Sequence, residues 1–180
     1  MHIETERLVL RFWHEDDLND FYEYASVDGV GERAGWKHHE SVDESRKILQ
    51  QMFVGQKDVL AVTLKSTGKV IGSVGFHELR SDWQKEGDYA GLNAREIGYV
   101  LSKDYWGRGL MTEAVKAVIG YCFNTLRLDV LFCGHYAENT QSKRVIEKCG
   151  FRFVKQAETY NERLQKKFDL MNYILYNGNR

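Results

Sequence analysis

Residues 95–125 limit the possible folds most strongly, because a strand-like run and a helix-like run are joined there by a short turn with two glycines. Residues 96–102 have the composition of a β-strand, and apolar residues recur at helical spacing from Leu110 onwards. Gly107 and Gly109 let the backbone adopt angles closed to other residues and come close to a ligand. Since the first turn of a helix presents amides without intrahelical partners, such a turn is suited to bind a phosphate. A tight turn that only packs a helix against a strand has the same pattern.

Two common nucleotide-binding motifs are absent from this stretch. A Walker A loop requires G-x-x-x-x-G-K-[ST], and the sequence contains no such string. A Rossmann turn requires a third glycine three residues after the second, where this chain has Thr112. The glycine turn therefore belongs to neither of these folds.

The composition indicates a globular protein without a nucleic-acid or membrane partner. Of the 180 residues, 43% are hydrophobic and none lie in a low-complexity run, so we expect a single domain over residues 1–180. The formal net charge of −1 provides no broad basic surface for nucleic acid. The N-terminus has acidic residues where a signal peptide is basic, and no apolar run reaches the roughly 18 residues of a membrane span. These features predict a cytoplasmic protein.

No metal site is predicted from the cysteines and histidines. Cys122, Cys133 and Cys149 lie in apolar segments without C-x-x-C spacing, which is typical of small core residues. His38 and His39 are adjacent, and neighbouring residues rarely share one metal geometry. No carboxylate or cysteine stands at a matching spacing from them in the sequence.

Hydrophobic patterns along the chain predict strands and helices in the order β-α-α-β-β-β-α-β-α-β-β. The predicted strands are residues 8–12, 59–64, 70–77, 96–102, 129–136, 151–158 and 168–176. The predicted helices begin at His14, at Ser41 (running to about Gln56), after Gly109, and at Asn139 (running to Cys149). Residues 79–93 are polar and long for a connection, which suggests a functional or flexible loop. The helices are expected to cover a mixed sheet of six or seven strands.

This order, together with the segments REIGYVLSKDYWGRGLMTEA and AENTQSKRVIEKCGF, resembles the GNAT superfamily of acetyl-coenzyme A-dependent N-acetyltransferases. The resemblance is greatest to the Rim-type branch, which acetylates ribosomal proteins, and the opening ETERLVLR extends it over nearly the whole chain. It implies an α/β (α+β) fold, with a mostly antiparallel sheet flanked by about four helices and a V-shaped splay between the two central parallel strands.

One position departs from the family pattern. The pyrophosphate loop of the family is usually written Q/R-x-x-G-x-G/A, and Asp104 occupies the Gln/Arg position here. Because the loop works through its backbone amides, the departure leaves the resemblance intact. It puts in doubt any contribution from the side chain of position 104 to the binding of phosphate charge.

The resemblance also implies where the cofactor, acetyl-coenzyme A, would lie, and it implies no metal. Its pantetheine arm would run along Val100, Leu101 and Ser102, with Asn139 in contact. Its pyrophosphate would be bound by the turn and the helix start, which comprise Trp106, Gly107, Arg108, Gly109, Leu110, Met111 and Thr112.

Acyl transfer to an amine is expected to use a base and an acid. Glu96 matches the strand position at which relatives carry a catalytic glutamate, although a carboxylate paired with Arg95 or a lysine would give the same pattern. Ser142 lies one helical turn after Asn139, where some Rim-type relatives carry a serine near the cofactor sulphur. An ordinary serine in a first helical turn would also fit.

Two further residues are candidates for the acceptor side of the site. His77, at the end of its strand, is a reserve base, and a solvated histidine at a strand end is the alternative. Trp36 lies in a region that borders the acceptor pocket in this family, so it would be either a pocket wall or part of the core.

The implied activity is direct transfer of an acetyl group to a primary amine, either a protein N-terminal amine or a small-molecule amine. A catalytically weak acyl-coenzyme A-binding sensor or interaction protein on the same fold is the alternative, and transfer of a longer acyl group is a third possibility. The sequence does not identify the acceptor, and it is compatible with a monomer or a homodimer.

Overall fold

A computed structural model describes residues 1–80, 83, 89 and 91–178 of the chain, which build one eight-stranded sheet. In chain order the strands are β1 His2–Glu4, β2 Leu8–Arg11, β3 Val59–Leu64, β4 Val70–His77, β5 Ala94–Leu101, β6 Val130–Tyr136, β7 Arg152–Asn161 and β8 Lys166–Tyr176. Their order in the sheet is β1-β2-β3-β4-β5-β6-β8-β7. Only β5 and β6 pair in parallel, so the predicted mixed and mostly antiparallel sheet is confirmed.

The strand count corrects the prediction of six or seven strands. β1 pairs with β2 from His2↔Arg11 to Glu4↔Val9, and the sequence pattern did not reveal it because three residues are too few to show an alternation. The closing hairpin is also longer than predicted, since its pairing continues to Asn161↔Lys166. Its outer residues are polar, so hydrophobicity does not mark where these strands end.

The described residues form five α-helices. They are α1 Leu18–Ala25, α2 Gly31–Ala34, α3 Val42–Met52, α4 Leu110–Asn124 and α5 Thr140–Lys148. Four of them correspond to predicted helices, while α2 lies between the first two predicted helices, where no helix was predicted. The second predicted helix ends at Met52 rather than near Gln56, because Gly55 has a φ of +81° and the chain leaves the helix before it. Within the described ranges, no helix combines the length and the apolar character needed to cross a membrane.

The helices cover both faces of the sheet. Side chains of α1 and α3, including Phe21 and Leu49, pack with Ala61 of β3 in one buried cluster. Side chains of α4 and α5 pack with Leu60 of β3 in another, where Val118 is fully buried. Neighbouring residues of β3 thus enter opposite clusters, as the two-residue period of a strand requires.

The two central parallel strands part halfway along their length. Pairing of β5 with β6 runs from Ala94↔Val130 to Ile97↔Cys133, and beyond it β5 continues beside β4 while β6 continues beside β8. Gly98 and Gly134 are the first residues after the last pair, so neither strand carries a side chain where the two separate. The predicted V-shaped splay is therefore confirmed. Most of the predicted loop at residues 79–93 lies outside the described residues.

Candidate active site

A groove of about 580 Å³ occupies the space between the diverging parts of β5 and β6. α4 begins at one side of this groove and α5 begins at the other, so the glycine turn and the Asn139 segment both border it. We call it the central groove. Its lining contains these predicted site residues: Glu96, Val100, Leu101, Trp106, Gly107, Gly109, Leu110, Met111, Thr112, Asn139 and Ser142.

The glycine turn has the geometry of a backbone anion site. Gly107 and Gly109 have φ angles of +74° and +76°, in the left-handed region that favours glycine. A Cβ atom on Gly107 would have no neighbour within 4 Å, so the backbone is open to a ligand. Gly109 caps α4, whose first-turn amides have no partner within the helix. Trp106 is held beside the turn because its indole nitrogen donates to the Leu101 carbonyl at 2.8 Å.

The N-terminal segment holds this turn in place through Glu113 in the first turn of α4. The Glu113 carboxylate accepts hydrogen bonds from the Thr5 hydroxyl at 2.6 Å and from the Arg7 amide and guanidinium at 2.8 and 2.7 Å. Arg7 also donates to the carbonyl of Arg108 at 3.0 Å. Burial alone would raise the pKa of the Glu113 carboxyl, but these hydrogen bonds outweigh it and lower that pKa. An ionised Glu113 therefore ties the ETERL segment to the glycine turn.

Glu96 forms an ion pair inside the groove. Arg80 donates to its carboxylate at 2.9 Å, and the side chain of Glu96 is 17% exposed. The same guanidinium donates to the side-chain oxygen of the fully buried Asn172 at 3.0 Å. Arg95 pairs instead with Glu78 at 2.8 Å, so among the described residues the ion-pair partner of Glu96 is Arg80 and not Arg95 or a lysine. Arg80 and Asn172 together hold the carboxylate at the groove.

Ser142 lies against a partly buried tyrosine across the groove. Its hydroxyl is 2.8 Å from the hydroxyl of Tyr99, which also donates to the Ser142 carbonyl at 3.2 Å. The Ser142 amide donates to the side chain of Asn139 at 3.1 Å, which caps α5. Burial raises the pKa of the Tyr99 hydroxyl well above its usual range, so this phenol stays protonated at neutral pH.

His135 also lines the groove, on the diverging part of β6. Its Nδ1 donates to the Tyr136 carbonyl at 2.8 Å, and its Nε2 lies 3.2 Å from the Tyr173 hydroxyl. Burial lowers the pKa of this imidazole, although the bond to the Tyr136 carbonyl raises it. Both ring nitrogens are thus engaged by the protein.

Four of the predicted residues lie outside the groove lining. Ser102 is buried and its amide donates to the Ile71 carbonyl at 2.8 Å, as in a continuation of the sheet. The Arg108 guanidinium lies over the Tyr105 ring at 5.3 Å, and only its backbone belongs to the turn.

Trp36 and His77 are the other two. Trp36 packs against His39 with ring centroids 5.0 Å apart and occupies the space that a side chain on Gly31 would need. It therefore shapes α2 from the side of the core. His77 is exposed and lies 3.3 Å from the carboxylate of Asp58.

Sequence reasoning did not identify Tyr99, Arg80, His135 or Arg33 as groove residues. Tyr99 could have been identified from the sequence. Strand alternation places Ile97 and Tyr99 on one face of β5, and the helix that follows β6 covers that face. Arg80 has no local signal, since its contacts with Glu96 and Asn172 span 16 and 92 residues.

One acidic cluster differs from the sequence-based expectation. Asp28, Glu32 and His38 place potential metal-ligand atoms within 4.8 Å of one another, although no carboxylate stands at a matching spacing from His38 in the sequence. Glu32, however, accepts hydrogen bonds from the amides of Gly29 and His38 and from the His38 ring. Through these hydrogen bonds Glu32 connects the residues before and after α2 and stabilises the loop around it.

The comparison with protein families matches residues 7–152 to the model described as "Acetyltransferase (GNAT) domain". Among curated proteins, the uncharacterized N-acetyltransferase p20 of Bacillus licheniformis is 29% identical over 153 residues, which cover 82% of this chain and 80% of that protein. Among solved structures, a GNAT-family acetyltransferase from Bacillus anthracis superposes with a TM-score of 0.84 at 24% identity and covers 98% of this chain and 99% of its own. A putative ribosomal-protein-serine acetyltransferase from Vibrio cholerae superposes with a TM-score of 0.78 at 20% identity, covering 98% and 97%.

Proposed function

The chain belongs to the GNAT acetyltransferase family and is an acetyl-coenzyme A-dependent acetyltransferase, and on this premise we propose that it acetylates a primary amine by direct transfer. The acceptor is a protein N-terminal amine or a small-molecule amine, and residues 1–180 act as one catalytic domain. The observation that carries the proposal is the central groove, which joins the glycine turn to Glu96 through the splay of β5 and β6.

The residues around the groove fit acetyl-coenzyme A. The open backbone at Gly107 and the first-turn amides of α4 suit a pyrophosphate, because they offer donors and a positive dipole end. Val100 and Leu101 pair with β4 along one edge of β5, and the other edge faces the splay, where the amides of a pantetheine arm can pair with it much as an added strand would. We place Asn139 beside that arm. When bound, acetyl-coenzyme A supplies an activated acetyl group and a thiol leaving group.

Glu96 is proposed as the base. A protonated amine has no lone pair, so its proton must leave before it attacks, and Glu96 accepts it directly or through a water molecule. The ion pair with Arg80 fixes the direction in which the carboxylate points.

Ser142 is proposed as the group that donates a hydrogen bond to the departing sulphur. Tyr99 stays protonated and carries a single hydroxyl proton. When Tyr99 donates this proton to the Ser142 hydroxyl oxygen instead of the Ser142 carbonyl, the serine proton is free for the thiolate. Tyr99 acts here as a positioning residue.

We expect Ser142→Ala to lower kcat about tenfold or more while the dissociation constant for coenzyme A stays within about twofold, since hydrogen bonds to charged groups contribute about 1.5–3 kcal/mol. Steady-state kinetics and calorimetry measure the two quantities. Ser66→Ala, at an exposed turn serine, is the control. An unchanged kcat in Ser142→Ala would show that this serine is only part of the helix start.

The alternative is a catalytically weak acyl-coenzyme A-binding protein. It predicts that the parent protein binds coenzyme A but releases none in response to any acceptor, so that substitution of Glu96 or Ser142 has no turnover to remove. Acceptor-dependent turnover separates the two functions, and thioester hydrolysis without acceptor does not count.

The acceptor is proposed to enter between α2 and the β7–β8 hairpin. Asn161, at the end of β7, donates to the Gly35 carbonyl and to the Tyr136 hydroxyl at 2.9 Å each, so the hairpin is tied to the loop after α2. Trp36 would then support the acceptor side by packing on α2, and His77 would act only from outside the groove.

Proton affinities favour a weakly basic acceptor. At pH 7.5 roughly a quarter of an α-amino group with a pKa near 8 is free base, against about one part in a thousand of a lysine side chain. Among the described residues, Arg80 forms the ion pair with the proposed base Glu96, and no ion pair joins Glu96 to the other cations of the groove lining, Arg33, Arg144 and Lys148. We therefore propose a preference for α-amino groups over ordinary lysines.

A further inference from the structure

The glycine turn brings no cationic side chain of its own into the central groove. Asp104 stands on the turn Lys103–Tyr105 that precedes the glycines, and its side chain is exposed and outside the groove lining. The Arg108 guanidinium lies over the Tyr105 ring and is also outside the lining. A pyrophosphate at this turn would carry negative charge that the backbone amides only partly offset.

Arg33 of α2 reaches the same place from the other side of the groove. Its guanidinium carbon lies 5.1 Å from the centroid of the Trp106 ring, and Trp106 directly precedes Gly107. It also donates to the side-chain oxygen of Gln141, in the first turn of α5, at 3.0 Å. The side chain of Arg33 therefore crosses the groove from α2 to α5, next to the glycine turn.

The charge of Arg33 is not neutralised by a neighbouring acid. None of the ion pairs formed within the described part of the chain includes Arg33, whereas Arg80 in the same groove is paired with Glu96. The adjacent Glu32 is engaged by Gly29 and His38. Among the described residues, the hydrogen bond of the Arg33 guanidinium goes to a neutral amide, that of Gln141.

The backbone of Arg33 is held in position. The Asn139 side chain donates to the Arg33 carbonyl at 3.3 Å, which ties α2 to the cap of α5. An aromatic face below a guanidinium also restrains it, at an attraction of about 0.5–1 kcal/mol at an exposed site. The side chain is thus placed before any ligand arrives.

We propose that Arg33 binds the pyrophosphate of the cofactor and supplies the positive charge that position 104 lacks in this chain. The inference rests on the proposed function, which places that pyrophosphate at the glycine turn. Exchange of the Gln141 amide for a phosphate oxygen replaces a neutral acceptor with a charged one, and charge-assisted hydrogen bonds are roughly twice as strong. The planar fork of arginine suits phosphate oxygens in particular.

Calorimetric binding of three unacetylated ligands tests this assignment. Coenzyme A carries the pyrophosphate and the 3′-phosphate, dephospho-coenzyme A carries only the pyrophosphate, and pantetheine carries neither. We expect Arg33→Gln to weaken coenzyme A and dephospho-coenzyme A by the same factor, about five- to tenfold, and to leave pantetheine unchanged. The difference should shrink at high salt because the side chain is exposed.

Arg46→Gln is the matched control, since it removes the same charge from an exposed arginine on α3 that pairs with Asp43. It should bind all three ligands like the parent protein. Arg33→Lys keeps the charge without the fork and should lie between the parent and Arg33→Gln. A melting temperature equal to that of the parent shows that a variant is folded.

Three results would overturn the assignment. An equal loss for all three ligands would mean that Arg33 acts on the arm or on the fold, a loss confined to coenzyme A would mean that it reads the 3′-phosphate, and no loss would remove it from the site. Failure of the part of the proposed function on which this inference rests, the pyrophosphate at the glycine turn, looks different. In that case the parent protein itself would bind pantetheine as tightly as coenzyme A, or would bind neither.

Discussion

Gly109→Val should weaken coenzyme A binding by about thirtyfold or more, as measured by calorimetry. The φ of +76° at this position costs a residue with a Cβ about 1–2 kcal/mol, and valine is among the worst accommodated because it is branched at Cβ. The new Cβ would meet only the Arg7 guanidinium, at 3.7 Å, so the protein has room for it. The larger loss is expected from the side chain standing where the backbone approaches the pyrophosphate.

Gly68→Val separates strain from binding. Gly68 lies in the turn between β3 and β4 with a φ of +74° and no atom within 4 Å of an added Cβ. The control should lose stability by a similar amount and keep its affinity for coenzyme A. A folded Gly109→Val protein with unchanged affinity would remove the pyrophosphate from this turn and leave the motif a structural one.

Glu96→Gln should reduce turnover by about 10²- to 10⁴-fold, the usual range for a general base, and most strongly at low pH. Raising the pH should partly restore the rate, because a growing fraction of the acceptor is already free base. Glutamine has nearly the same shape as glutamate and can still accept a hydrogen bond from Arg80, so coenzyme A affinity should hardly change. The measurement is the pH dependence of kcat/KM for the acceptor.

Glu78→Gln is the control for this experiment. Glu78 is exposed, pairs with Arg95 and lies outside the groove lining, although it is close to Glu96 in the sheet. Its profile should match that of the parent. If the Glu96→Gln profile also superimposes on the parent, Glu96 is only the partner of Arg80.

The strands and helices of this fold could be predicted because most of them carry a clear hydrophobic period. α4 shows its buried face in Leu110, Ala114, Val118 and Cys122, and these residues are indeed buried. The predictions fail where an element is too short to show a period, or where its two faces do not differ in hydrophobicity. β1 is three residues long, α2 is four, and β7 is an edge strand with mostly exposed residues.

The candidate site divides in the same way. Residues that act through the backbone or sit on a recognised element, such as Gly109 and Ser142, could be placed from the sequence. Arg33 and Arg80 could not, because their contacts with Gln141 and Glu96 depend on how distant elements pack. The sequence motifs thus contain the predicted site residues, whereas the two arginines that add positive charge to the groove come from other parts of the chain.

The most direct test of the account is the release of free coenzyme A from acetyl-coenzyme A across a panel of acceptors. The panel contains a peptide with a free N-terminus and no lysine, an N-terminally blocked peptide with an internal lysine, and small primary amines. We expect release that depends on the acceptor, with the free N-terminus or a weakly basic small amine turned over faster than the lysine peptide at pH 7.5. A protein that binds coenzyme A but releases none with any acceptor would contradict the enzymatic function, and efficient turnover of the lysine peptide with rejection of free N-termini would contradict the acceptor preference.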